Sequence, residues 1–71
     1  MKPKKGRYYK IQDCFGTWIG YYCGRKGRVY PYSFKVIVQS SCMFGFDEQG
    51  ADADEIIEEV PEAETVLYML E

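Results

Sequence analysis

The chain is 71 residues long, 46% apolar, 28% charged and 17% aromatic, with a formal net charge of −2. That length suits one small domain and leaves no room for two. Because it contains neither histidine nor asparagine, Ser-His-Asp and Cys-His catalysis, histidine-bearing zinc sites and N-glycosylation are excluded by residue type alone.

Residues 1–6, MKPKKG, read as a mobile basic tail, with a single small domain over 7–71. Tyr8 to Asp13 is β-prone, Cys14-Phe15-Gly16-Thr17 supplies a turn, and Trp18 to Cys23 is β-prone again, which is a hairpin signal. A turn closed between Cys14 and Thr17 puts Tyr9 opposite Tyr22 and Ile11 opposite Gly20 on one face, with Lys10 opposite Tyr21 and Gln12 opposite Ile19 on the other. Gly20 inside the second strand predicts a bulge or sharp bend.

Gly24-Arg25-Lys26-Gly27-Arg28 reads as a basic loop and Tyr30-Pro31-Tyr32 as an irregular piece. Ser33 to Gln39 is the clearest strand, with Phe34, Val36 and Val38 on one face and Lys35, Ile37 and Gln39 on the other. Ser40-Ser41 follows as a turn and Cys42 to Phe46 as a shorter strand. Asp52 and Glu55 form a capping-box pattern, and Ala53, Ile56, Ile57 and Val60 at i, i+3, i+4 and i+7 predict an amphipathic helix. Pro61 then suits a first helical position, and Ala63, Val66, Leu67 and Leu70 repeat the stripe. A closing strand over 65–70 is the competing reading of that segment.

Strands followed by helices predict an α+β fold: a small curled antiparallel sheet of about four strands with a short C-terminal helical segment. A strand ending in Asp13, a Gly-bearing second strand, a β-branched third and an aromatic fourth resemble an SH3-like or Tudor-like partial barrel over residues 7–46. That resemblance rests on pattern and implies fold, not function. Trp18, Phe34 and Phe44 are expected in its core.

Charge is segregated along the chain. Residues 1–35 hold all nine basic side chains and one acid, for +8, whereas residues 36–71 hold ten acids and no base, for −10. Such asymmetry points to a charged partner or to an internal embrace of the basic part by the acidic part. Cations and tyrosines are interleaved in the first half, a composition suited to nucleic acid or a nucleotide-like anion. Arg7, Lys10, Arg25, Lys26 and Arg28 are the candidate phosphate contacts, with Tyr8, Tyr22 and Tyr30 for stacking.

The alternative is a protein-interaction or inhibitor module that acts through Asp54, Glu55, Glu58, Glu59 and Glu62, docking on a basic protein or imitating nucleic-acid charge. Short chains of this kind without catalytic residues fit an accessory protein of a phage or mobile element. The acidic segment lacks the glycine and the spaced glutamates of a calcium loop, so no metal or cofactor is expected. No enzyme activity is expected either.

Cys14, Cys23 and Cys42 make an odd count without a C-x-x-C pair. They are expected to be reduced thiols acting as small buried hydrophobes. No apolar run approaches the roughly 18 residues of a membrane helix, and the basic start is not followed by a secretion signal's apolar stretch. The expectation is a soluble cytoplasmic protein without a membrane partner, able to form a homo-oligomer through edge strands or the Leu67–Leu70 stripe.

Overall fold

The computed structural model describes residues 1–43 and 45–69. Among them are strands β1 (Tyr8–Asp13), β2 (Gly16–Arg25), β3 (Tyr32–Val38), β4 (Glu48–Ala51) and β5 (Ile56–Val60), followed by helix α1 (Glu62–Met69). The strands form one antiparallel sheet in the order β4-β3-β2-β1-β5. Its two edges do not meet, so the sheet is open, and it has five strands where about four were expected.

β1 and β2 form the expected hairpin in a different register. Tyr9 faces Gly20, Ile11 faces Trp18 and Asp13 faces Gly16, so the turn is Cys14-Phe15. Asp13 fixes it: its carboxylate accepts from the Phe15 backbone N–H at 2.9 Å and from the Trp18 indole N–H at 3.1 Å. Gly16 leaves the turn at φ +105°, a left-handed conformation that favours glycine. Because the slip is two residues, every side chain keeps its expected face.

Tyr9, Ile11, Trp18, Phe34, Met43, Ala51 and Ile56 form the main buried cluster on one face of the sheet. Phe34 meets Tyr9 and Trp18 edge-on, each at 6.1 Å between ring centroids. The predicted bend falls where the sequence placed it, in a register shift between Ile19 and Gly20 against β3. The same shift pairs Val38 with Ile19, which takes Val38 off the face it was expected to share with Phe34 and Val36.

Two elements differ from the sequence reading. Cys42 to Phe46 is not a strand: its backbone closes turns instead, with Met43 N–H donating to the Ser40 carbonyl and Phe46 N–H to that of Met43. These turns drive Met43 into the core and set Phe46 edge-on to Phe15 at 5.2 Å. Phe44 lies outside the described residues. The fourth strand is Glu48-Gln49-Gly50-Ala51, a poor strand sequence by propensity that pairs along the open edge of β3 from Lys35↔Glu48 to Tyr32↔Ala51.

The helix expected from Ala53 to Val60 is likewise replaced. The capping box forms, with the Asp52 N–H donating to Glu55 Oε1 at 2.9 Å, but it starts only a single 3-10 turn, Ala53–Glu55. Ile56 to Val60 then pairs with β1. β-branched Ile56, Ile57 and Val60 lose rotamer freedom in a helix and fit a strand, and the edge of β1 supplies backbone partners that a short helix lacks. Ile57 falls at the irregularity in that pairing and is 44% exposed.

After Pro61 the helical reading of the C-terminal segment is correct through Met69. Ala63 of the proposed stripe is exposed; the side chains of Val66 and Leu67, and Leu70, lie outside the described part. Thr65 is buried and its hydroxyl donates to the Glu62 carbonyl at 2.6 Å. The leading segment is held against the sheet: Pro3 is buried, Lys4 N–H donates to the Tyr9 hydroxyl, Gly6 N–H to the Tyr22 carbonyl, and the Met1 ammonium to the Ala53 carbonyl.

Folding also explains where the segregated charges go. The acidic part supplies both edge strands, flanking the basic inner strands. Glu58 faces Lys10, Glu48 faces Lys35, and Arg7 and Arg25 approach Glu59 and Glu48 at 4.0 and 3.7 Å. All four partners of the two ion pairs are well exposed, so each pair contributes at most about 1 kcal/mol.

Candidate ligand-binding cleft

Opposite residues in antiparallel strands share a face, and the observed registers line up Val60, Tyr8, Tyr21, Lys35 and Glu48 in one row across all five strands. The row lies on the face of the sheet opposite the Trp18 core. Its centre opens as a cleft of about 450 Å³, walled by Tyr8, Tyr21, Cys23, Lys35 and Ile37, with Gly6 and Glu62 at one side. A smaller hollow of about 110 Å³ shares Gly6, Tyr8 and Glu62 and runs on past Arg7 toward Glu59. The Tyr8 and Tyr21 rings are neighbours, 5.1 Å apart and tilted by 56°.

Glu62 reaches the cleft because Pro61 ends β5 beside Tyr8 and α1 starts there. Burial raises the Tyr8 pKa above the ordinary tyrosine value, helped by the Glu62 carboxylate and by Tyr21. Tyr8 is therefore a neutral ring and hydroxyl donor at neutral pH.

A pKa raised in the folded state stabilises the fold below the unfolded value, about 10 for tyrosine, and that contribution is lost as pH rises through the folded value. In an alkaline absorbance titration Tyr8 is expected to ionise above the ordinary tyrosine value, and earlier in E62Q than in the parent. An identical titration of the parent and E62Q contradicts the influence of the Glu62 carboxylate on Tyr8.

Of the stacking residues chosen from sequence, only Tyr8 lies in the cleft. Tyr22 is on the core face, with its ring 5.3 Å from Phe34 and 5.7 Å from Tyr32. Tyr30 lies over Gly50 of β4, where an added Cβ would come within 2.6 Å of its ring. Arg7 and Arg25 are opposite carboxylates, and Lys10 is half-buried.

Lys26 and Arg28 are exposed on the loop after β2 and make no ion pair among the described residues. Lys5 joins that end of the sheet by packing along Gly24, 3.3 Å from where a Cβ would stand. Of the acidic candidates, Asp54, Glu58, Glu59 and Glu62 are exposed, whereas Glu55 is half-buried and occupied in the capping box.

Tyr21, Cys23, Lys35, Ile37 and Gly6 were missed as site residues. The signal was present for two of them, since period-two alternation already places Tyr21 and Cys23 on the face of Tyr8. The expectation of buried cysteines is overturned: Cys14, Cys23 and Cys42 are all exposed and unbridged. Cys14 sits in the hairpin turn and Cys42 in the turns before β4, while Cys23 lines the open cleft.

Among the described residues no three Cys, Asp or Glu side chains gather in a metal-binding arrangement, and no helix is long and apolar enough to cross a membrane. Comparison with protein families, curated proteins and solved structures finds no match to this chain.

Proposed function

We propose that this chain is a non-enzymatic binding domain that takes single-stranded nucleic acid into the cleft over Tyr8 and Tyr21. The row Tyr8–Tyr21–Lys35 carries this reading: two adjacent rings and a cation at strand spacing provide a stacking platform beside a phosphate contact. Lys5, Lys26 and Arg28 extend the positive charge at the same end of the sheet. The scaffold is read as an open SH3-like or Tudor-like partial barrel. Supporting that reading are the meander of adjacent strands, the return of β5 to β1, and the bulges that curl β2 and β3.

Fluorescence polarisation with a short labelled oligonucleotide tests the function. Phosphate contacts by Lys35, Lys5, Lys26 and Arg28 on a single strand imply a fall in affinity of roughly 50-fold between 50 and 200 mM salt. Tyr21→Ala is expected to weaken binding by about 1–3 kcal/mol while leaving the circular dichroism spectrum intact. Binding indifferent to both salt and Tyr21 overturns the proposal.

One observation favours the acidic surface as a second reading. β5 is an open edge strand on which Glu58 and Glu59 are exposed beside Ile57, a surface for a basic protein partner. Charge reversal separates the two: Lys26→Glu with Arg28→Glu abolishes oligonucleotide binding under the first reading, and Glu58→Lys with Glu59→Lys leaves it intact or strengthened.

A further inference from the structure

Glu62 is the anomaly in a cleft meant for an anion. It stands on the β5 side of Tyr8, and Lys35 stands beyond Tyr21 on the other side of the ring pair. Two strand spacings, roughly 10 Å, separate the Tyr8 and Lys35 positions. A carboxylate there repels phosphate, yet it is an acceptor with two oxygens and about four lone-pair sites. Glu62 lines the cleft beside Tyr8, so its carboxylate can accept from a ligand's donors there.

The chemistry that fits is a planar group stacked on one of the two rings with the other, tilted by 56°, against its edge, and with adjacent N–H donors at one end and a phosphate at the other. Among the nucleobases only guanine presents two neighbouring donors, N1–H and the N2 amine, on its Watson–Crick edge. Adenine and cytosine place a ring acceptor beside the amine, and uracil has one N–H between two carbonyls. Each of these three sets an acceptor against a carboxylate oxygen.

We propose that the cleft is selective for guanine, the base stacking on one ring of the Tyr8–Tyr21 pair with the other against its edge, its Watson–Crick edge donating to both oxygens of Glu62 and its phosphate reaching Lys35. This rests on the nucleic-acid reading above and adds the base that the cleft selects. The shared chemistry is a guanine nucleotide, either free or within a single strand.

The test titrates the full chain with GMP, IMP and AMP, and with the tetranucleotides UUGU and UUAU, following amide shifts by NMR. A bidentate contact gives roughly 5- to 150-fold discrimination. GMP is therefore expected to bind tighter than AMP by that factor, with IMP, which lacks the N2 amine, between them. Tighter binding of UUGU than of GMP identifies the strand as the source, and equal binding identifies the free nucleotide.

Glu62→Gln is the decisive variant. Its amide has one donor and one acceptor, matching adenine's N6 amine and N1, so the preference is expected to reverse from guanine to adenine. A purely structural role for Glu62 instead weakens all nucleotides alike. Equal affinity for GMP and AMP in the wild type, or a uniform loss in E62Q, overturns guanine selectivity and leaves the nucleic-acid cleft standing. Failure of every nucleotide and oligonucleotide to bind overturns both.

Discussion

Trp18→Ala is expected to remove a large part of the stability of the fold at 25 °C. Trp18 is 1% exposed, meets Phe34 edge-on and donates its indole N–H to Asp13. Truncating a buried Trp costs about 3–5 kcal/mol. A domain of 71 residues has a total stability of only about 4–10 kcal/mol. The Asp13 carboxylate also loses a donor that helps hold the β1–β2 turn.

Far-ultraviolet circular dichroism and urea titration report the outcome, with Trp18→Phe as the companion that keeps a ring and loses only the N–H. A cooperative transition for Trp18→Ala within about 1 kcal/mol of the parent is incompatible with this core.

Gly20→Ala is the second large effect, and it tests the bend. A Cβ at Gly20 would stand 2.7 Å from Phe34 Cβ and 2.8 Å from Trp18 Cζ3. Such overpacking costs about 1–3 kcal/mol, and Gly20→Val costs more. The two collisions differ in kind: the indole atom can be removed by Trp18→Phe, whereas Phe34 Cβ belongs to every residue except glycine.

Adding Trp18→Phe to Gly20→Ala should therefore recover only part of the loss. The residual is set by the closeness of β2 and β3 at the bulge. Full recovery, or no loss with alanine alone, means the strands do not approach as described. Thermal denaturation of the four proteins in the cycle measures the coupling.

The site was less legible than the fold. Arg7, Lys10, Arg25, Tyr22 and Tyr30 were chosen because cations and rings alternate along the chain, but alternation in sequence is not adjacency in space. Tyr22 turns to Phe34, Tyr30 covers Gly50, and Arg7 and Arg25 meet carboxylates of the edge strands. The cleft residues Tyr8, Tyr21 and Lys35 come from three strands. Only the β1–β2 and β2–β3 registers together bring them into one row.

From its sequence alone this protein has a hairpin with Tyr9 and Ile11 on one face, Trp18 and Phe34 in the core, a bend at Gly20, a β-branched β3 and a helix start at Pro61 with a strand over 65–70 as its competitor. These follow from local causes: side-chain period, turn chemistry, a missing Cβ, a fixed proline φ. Tertiary structure decided that Glu48–Ala51 and Ile56–Val60 are strands, that Met43 enters the core and that three thiols stay exposed. There the winning influence is long-range: the backbone groups along the open edges of β3 and β1 need partners, and the segments delivered to them become strands, Glu48–Ala51 despite a poor strand propensity and Ile56–Val60 despite a helical spacing of its apolar residues.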